Sequence, residues 1–192
     1  GLTINGKLYG IPWYCSACFF VYRKDIFESH GLPVPFEPKS WDDILDVVKE
    51  CHDPEHEIYG NLCSLGGTWG ARFWHSLVKG LGGSIFDEEF KPTVNSDAGI
   101  KALEFMKELY QYNPEESVTL HCSDITTWME AGRGATEFND AYFCRRLDNP
   151  EVSTVVGKCG FASIPDYRHA EAGTPCCVSS TSKNKIAAYK FI

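Results

Sequence analysis

The sequence predicts an α/β domain in which helices pack on a largely parallel or mixed sheet. Apolar runs of strand length alternate along the chain with segments whose apolar residues recur at helical spacing. A length of 192 residues fits one domain, or one domain and a piece of another. A hydrophobic content of 43% with 23% charged residues is typical of a globular protein.

The predicted strands are apolar or alternating runs bounded by turn residues. An Asn5-Gly6 turn opens the first strand. Residues 17–22 are continuously apolar, as expected of a strand that is buried on both faces. In chain order, the predicted strands cover residues 7–14, 17–22, 59–65, 135–139 and 157–164.

The predicted helices have capping residues at their starts and helix breakers at their ends. Ser40 with Asp43 matches a capping box, Ser96 and Ser123 are N-cap candidates for later helices, and Gly132 ends the helix after Ser123. In chain order, the predicted helices cover residues 24–29, 41–51, 68–81, 97–112, 124–131 and 184–192. The last helix has no stop residue, which predicts that the chain is a fragment of a longer protein.

Charge and apolar patterning exclude several classes of function. The formal net charge of −8 disfavours a nucleic-acid partner or an anionic membrane surface, both of which need clustered Lys and Arg. Arg145 and Arg146 form only an isolated basic pair. No apolar run has the length of a transmembrane helix.

The nine cysteines are an odd number, so at least one is unpaired within this chain. Cys15 and Cys18 form one Cys-x-x-Cys in an extended run, where their side chains point to opposite faces. No second such motif and no His pair at zinc spacing accompanies them, so we expect no metal site. We expect most of these residues to be small buried apolar groups, although so many thiols are unusual in an exported protein.

Seven segments in order resemble one known family. They are residues 6–14, 22–33, 40–44, 101–105, 132–135, 160–165 and 182–192. Together they look like the family 1 extracellular solute-binding proteins of ABC importers, the group that includes the periplasmic maltose-binding protein. The resemblance covers nearly the whole chain, although each segment alone is a weak match.

The resemblance implies one α/β lobe of a two-lobe periplasmic-binding-protein (type II) fold with hinge crossing strands. It implies a first hinge crossing over 1–12, a second lobe over 13–156, and a return crossing with a remnant of the first lobe over 157–192. The implied function is capture of a sugar or oligosaccharide in the cleft between the lobes, without catalysis and without a cofactor. The implied partners are membrane permease subunits, and the implied location is the periplasm or the extracellular face of the membrane.

Candidate ligand residues begin at the first crossing, where Trp13, Tyr14 and Ser16 match the family's cleft floor. A sugar site needs flat aromatic surfaces together with a few fixed hydrogen-bonding groups. The alternative is that Trp13 and Tyr14 only pack at the hinge. We expect 7–14 and 160–165, which contain Pro12 and Pro165, to lie side by side as neighbouring hinge strands.

A second candidate group lies at the predicted start of the helix over 68–81. Trp69 and Arg72 follow two glycines, and a helix N-terminus offers free N–H groups. The glycines suggest close approach by another group, whereas the alternative is that Trp69 only anchors the helix on the sheet. Phe73 and Trp74 are predicted to face the core.

A third candidate group follows the strand over 135–139. Tyr142 stands where the family places a cleft aromatic, and Asp140 can accept hydrogen bonds from hydroxyls. Asp140 can equally be the N-cap of the next helix.

Two alternatives to a sugar-binding protein stay open. Arg72 and the Arg145-Arg146 pair favour a phosphate-bearing ligand such as glycerol phosphate, whereas Asp140 favours a cation such as a polyamine. A Cys-dependent enzyme is the less favoured alternative, because the sequence contains no nucleophile elbow, phosphate loop or dinucleotide turn.

Overall fold

The computed structural model describes residues 3–14, 17–165 and 174–192. The chain divides into two compact units. The smaller unit consists of Gly1–Ala17 with Glu171–Ile192, and the larger unit is Cys18–Ala170. The lobe boundaries expected after residues 12 and 156 concern the complete protein and remain predictions.

Helices and short strands alternate in the described residues, as the sequence predicts for an α/β chain. The helices are α1 Lys24–Ser29, α2 Trp41–Glu50, α3 Gly67–Gly80, α4 Asp97–Tyr110, α5 Cys122–Glu130, α6 Ala141–Cys144 and α7 Lys185–Phe191. The strands are β1 Thr3–Ile4, β2 Lys7–Leu8, β3 Ile11–Tyr14, β4 Cys18–Arg23, β5 Thr136–Asp140, β6 Cys159–Ala162 and β7 Thr174–Cys176. Within the described ranges, no helix has both the length and the apolar character needed to cross a membrane.

The three regular strands of the larger unit form a sheet with β4 in the centre, and isolated parallel bridges at Tyr59 and Leu62 make the whole mixed. β5 and β6 pair with β4 on either side, and both pairings are antiparallel. The segment predicted as a strand over 59–65 lies parallel to β5 and forms isolated bridges instead of a regular strand. In this segment, Leu62 donates its N–H to the Thr136 carbonyl at 2.9 Å and accepts from the Phe138 N–H at 3.0 Å.

The core of the larger unit lies on both faces of β4. Phe20 and Tyr22 belong to one buried cluster, and Val21 belongs to a second cluster with Leu62 and Ile125. Alternate residues of a strand point to opposite faces, so a strand between two apolar layers must be apolar throughout. The continuous apolar run over 17–22 therefore predicted this position correctly.

Helix caps agree with the sequence at α2 and α4 and differ at α5. Ser40 and Asp43 form the predicted capping box, and the Ser96 side chain accepts from the Gly99 N–H. The prediction that Ser123 caps the next helix is wrong. His121 is the N-cap. Its imidazole accepts from the Ser123 N–H, and the backbone N–H of His121 donates to the Asp124 carboxylate.

The smaller unit contains two antiparallel pairs and a terminal helix. β1 and β2 join through Asn5 and Gly6, whose positive φ angles of 50° and 74° fit a tight hairpin turn. β3 pairs with β7, with Ile11 opposite Cys176 and Pro12 opposite Pro175. The predicted C-terminal helix is present as α7.

The predicted pairing of 7–14 with 160–165 is wrong. β3 pairs with β7, whereas β6 pairs with β4 and places Gly160 opposite Tyr22. A Cβ at Gly160 would lie 2.3 Å from Cζ of Tyr22, so only glycine lets β6 pass over this ring. The resemblance to the family indicated a crossing strand at 160–165, but it did not identify the strand with which this segment pairs.

Candidate functional site

A small pocket opens in the larger unit where β4, β5, α3 and α5 meet. Its cavity volume is about 40 Å³, enough for water-sized groups but far below the roughly 300–1,000 Å³ of a typical ligand site. Its lining includes aromatic, charged, amide, hydroxyl and thiol side chains. The lining residues are Cys18, Cys63, Ser64, Trp69, Arg72, Phe73, Ser76, Cys122, Phe138, Asn139 and Asp140.

Glycines at the start of α3 allow this helix to pack closely on neighbouring backbone. A Cβ at Gly66 would lie 1.6 Å from the Val118 carbonyl oxygen, and one at Gly70 would lie 2.1 Å from the Leu65 carbonyl oxygen. Gly67 has a positive φ of 54°. At Gly66 and Gly70, the close approach inferred from the sequence is therefore made by the protein's own chain.

Trp69, Arg72 and Asp140 come together on one side of the pocket. The Arg72 guanidinium carbon lies 4.3 Å from the centre of the Trp69 ring. Arg72 Nη2 and Asp140 Oδ2 are 3.9 Å apart, with side-chain exposures of 22% and 13%. His121 packs edge-on to Trp69, with 5.2 Å between ring centres. An aromatic face, a fork of donors and a carboxylate therefore border the same space.

The next aromatic residues of α3 are structural, as predicted. Phe73 is buried and packs against Phe138 with 5.3 Å between ring centres. Trp74 donates its indole N–H to the Gly99 carbonyl at 3.0 Å and so ties α3 to α4. Trp69 differs from both, because its ring packs against the Arg72 guanidinium at the pocket.

Asp140 ends β5 and stands at the N-cap position of α6. Its side chain makes no capping hydrogen bond there, so the predicted alternative role as a side-chain cap is wrong. The Asp140 N–H donates to Oδ1 of Asn139 at 2.9 Å. Asn139 thus fixes the backbone that carries Asp140.

Glu137 contacts the pocket residue Asn139 and was not identified from the sequence. Its side chain is fully buried, and Oε1 accepts from Asn139 Nδ2 at 2.7 Å and from the Thr126 hydroxyl at 3.0 Å. Burial raises the pKa of Glu137 to about 7, against the lowering effect of the two hydrogen bonds. The signal for Glu137 is that a charged residue stands between Thr136 and Phe138 in a buried strand.

Tyr142, a further predicted ligand residue of the larger unit, is not among the residues that line this pocket. Tyr142 is 59% exposed and packs on Arg145, whose guanidinium carbon lies 4.7 Å from the ring centre. Trp13 is 65% exposed in the smaller unit. Tyr14 is described only as a residue of β3, and Ser16 lies outside the described residues.

The thiols at the pocket do not resemble an activated nucleophile. Burial raises the pKa of Cys122 to about 12, with a further contribution from Asp140, and burial also raises the pKa of Cys63. His121 Nδ1 lies 3.5 Å from Cys122 Sγ. A reactive cysteine needs a lowered pKa, so this Cys–His contact does not support the enzyme alternative.

Over residues 3–14, 17–165 and 174–192, no three His, Cys, Asp or Glu side chains are grouped to hold a metal ion.

Comparison with known proteins places the chain in a family. A family model described as bacterial extracellular solute-binding protein matches residues 1–192. The chain belongs to this family, as the seven sequence segments predicted.

The most similar relatives include proteins that bind sugar alcohols. The mannitol-binding protein of Pseudomonas aeruginosa is 27% identical over 169 residues, which are 86% of this chain and 38% of that protein. The solved ABC transporter solute-binding protein of Agrobacterium vitis S4, with bound D-mannitol, has a TM-score of 0.81 at 29% identity, covering 100% of this chain and 48% of that one. A protein of the same class from Agrobacterium radiobacter K84, in complex with ribitol, has a TM-score of 0.82 at 25% identity, covering 99% and 49%.

These comparisons also define the fold class. The solved relatives are two-lobe periplasmic binding proteins, which confirms the predicted fold. The chain spans about half the length of the solved proteins it matches and less of the mannitol-binding protein.

Proposed function

We propose that this chain is part of the solute-binding component of an ABC importer and that its pocket binds one face of a sugar or sugar alcohol. The observation that carries the proposal is the grouping of Trp69, Arg72 and Asp140 around one pocket of a family member. The mannitol and ribitol bound by related proteins support a small neutral ligand with several hydroxyls.

The chemistry of the three side chains suits a hydroxylated ligand. The Trp69 ring can cover a C–H face, Arg72 can donate to hydroxyl oxygens, and Asp140 can accept from hydroxyl hydrogens. Arg72 and Asp140 lie close enough for their charges to offset each other. We therefore favour a neutral ligand over glycerol phosphate or a polyamine.

The size of the cavity supports a site that is completed by a second surface. A volume of about 40 Å³ encloses only a few atoms of a sugar. Tight binding requires most of the ligand surface to be buried, so another part of the complete protein must cover its other face. Trp13, Tyr14, Ser16 and Tyr142 remain proposed contributors to the full site.

The family membership supports a location and a partner. We propose that the complete protein acts in the periplasm or at the extracellular face of the membrane and delivers its ligand to permease subunits. This proposal rests on the extracellular solute-binding family and on relatives described as ABC transporter proteins. Binding requires neither catalysis nor a cofactor.

The test is a ligand screen on the complete protein. Thermal shift with D-mannitol, ribitol, D-tagatose, maltose, glycerol 3-phosphate and spermidine would be followed by calorimetric titration of each ligand that stabilises it. We expect one of the neutral ligands to bind. Binding of only the phosphate or only the polyamine would contradict the neutral-ligand proposal.

A matched pair of tryptophan variants tests the pocket assignment. Trp69→Ala should weaken binding by about 1–3 kcal/mol, the scale for burying an aromatic side chain. Trp128→Ala is the control, because Trp128 also packs on an arginine, with Arg133 4.1 Å from its ring centre, but does not line the pocket. Equal loss of affinity in both variants, or in neither, would refute the assignment.

A further inference from the structure

A buried carboxylate accepts a hydrogen bond from the side chain of a pocket residue. Glu137 is fully buried in β5, and its Oε2 makes no hydrogen bond to the described residues. Its Oε1 is 2.7 Å from Nδ2 of Asn139. Asn139 lines the cavity, so the Glu137 side chain is one hydrogen bond away from the lining of the pocket.

The amide of Asn139 has more acceptors than hydrogens. Besides Glu137, its Nδ2 contacts the Cys122 carbonyl at 3.0 Å and the Thr126 hydroxyl at 2.8 Å. An amide nitrogen carries two hydrogens, so these three acceptors compete for them. An ionised Glu137 holds one hydrogen in a charge-assisted bond, whereas a protonated Glu137 is a weaker acceptor.

The other end of the same amide holds a proposed ligand residue. Oδ1 of Asn139 accepts the N–H of Asp140 at 2.9 Å. A change of hydrogen-bond partner at Nδ2 would therefore rotate the Asn139 amide, whose Oδ1 holds the Asp140 backbone at the start of α6. Asp140 in turn lies 3.9 Å from Arg72.

We propose that Glu137 is a positioning residue of the pocket, whose ionised carboxylate holds the Asn139 amide, and through it Asp140, in the geometry that binds ligand. Protonation of Glu137 releases Asn139 toward the Thr126 and Cys122 acceptors and lowers ligand affinity. The inference rests on the proposed function, because the pocket that it affects is the proposed ligand site.

Several charged or titratable groups face Glu137 from the surrounding elements. Glu130 opposes its ionisation and Arg146 favours it. Thiols on three other segments also interact with its charge. They are Cys63, Cys144 and Cys159. Burial raises the pKa of each of these thiols, so Glu137 is the group among them that changes charge near neutral pH.

The first experiment needs neither a ligand nor a variant. Nitrogen–proton NMR of the ligand-free complete protein would follow the Asn139 side-chain amide from about pH 5.5 to about pH 8.5, a range that spans the titration of a carboxyl with a pKa of about 7. We expect its signals to move in one step, and to stay in place in Glu137→Gln. Signals that do not move in the wild type, or that move equally in the variant, would overturn the inference.

The second experiment measures affinity over the same range. With the neutral ligand found by the screen, the wild type should bind about fivefold more tightly at the high-pH end, the scale of one hydrogen bond. Glu137→Gln should show no such step. Glu130→Gln, which changes a buried carboxylate paired with Arg146 at 2.7 Å, should keep the step but move it to lower pH, because the Glu130 charge opposes the ionisation of Glu137.

The two readouts separate the two proposals. His121, which contacts Trp69, is present in both wild type and Glu137→Gln, so any effect of His121 on ligand affinity is the same in both proteins. A pH step in the Asn139 signals without binding of any screened ligand would refute the proposed function and keep the link between Glu137 and Asn139. Binding that has the same pH dependence in wild type and Glu137→Gln would overturn the positioning role alone.

Discussion

Replacing Glu137 by glutamine should change how the stability of the larger unit depends on pH. The pKa of this buried acid is raised from 4.5 to about 7 in the folded protein, mainly by burial. The folded state therefore binds the proton more tightly than the unfolded state does. Below about pH 4.5 the carboxyl is protonated in both states, and above about pH 7 the folded state carries the full cost of a buried charge.

The size of the effect follows from the pKa difference. One pKa unit corresponds to about 1.4 kcal/mol, so ionisation of Glu137 should lower the free energy of unfolding by about 3 kcal/mol as the pH rises through this range. Glutamine is neutral at every pH and has nearly the same shape. The free energy of unfolding of the variant, relative to that of the wild type, should therefore rise by about 3 kcal/mol from acid to alkaline pH.

The assay is urea unfolding of wild type and Glu137→Gln at several pH values, followed by tryptophan fluorescence. Glu104→Gln is the charge-matched control, because Glu104 is exposed on α4 and its removal changes the net charge equally. The free energy of unfolding of Glu104→Gln should change with pH in the same way as that of the wild type. If the difference between Glu137→Gln and wild type is the same at all pH values, the argument for a buried titrating acid fails.

Three further predictions concern the pocket and the helix starts. Gly66→Ala should destabilise the protein by more than about 1 kcal/mol in urea unfolding, because its Cβ would meet the Val118 carbonyl. Gly157→Ala is the comparison, because its Cβ would have open space and only its positive φ of 71° is unfavourable. This variant should be destabilised less than Gly66→Ala. Ser40→Ala should cost about 1 kcal/mol by removing the capping box of α2, and an unchanged midpoint would contradict the cap. Tyr142→Ala should weaken ligand binding by about 1–3 kcal/mol in calorimetry without changing stability, and unchanged affinity would remove this residue from the site.

Local chemistry made parts of the fold predictable from the sequence. The apolar run that became β4 and the Ser40–Asp43 box depend on neighbours within a few residues, so their patterns are complete in the sequence. The cap at α5 was missed because an imidazole can accept a backbone N–H as a hydroxyl does, and His121 precedes the expected Ser123. Strand partners depend on distant segments, which is why the pairing of β3 with β7 was not predicted.

The candidate site was predictable only where one motif contained the relevant residues. Trp69 and Arg72 stand together at a helix start, so one pattern indicated both. The position of Asp140 beside Arg72 depends on how β5 ends against α3, which the sequence does not specify. Glu137 escaped notice because its importance lies in its burial and in its bond to Asn139, and the burial depends on how β5 packs against α5.

The position of β4 between two apolar clusters has a consequence for how the larger unit unfolds. Phe20 and Tyr22 pack into one cluster and Val21 into the other, so neither layer can separate from the sheet without exposing this strand. The two layers should melt as one cooperative unit. Amide hydrogens of β4 should then exchange with solvent only through global opening, and their exchange rates should report the stability of the whole unit.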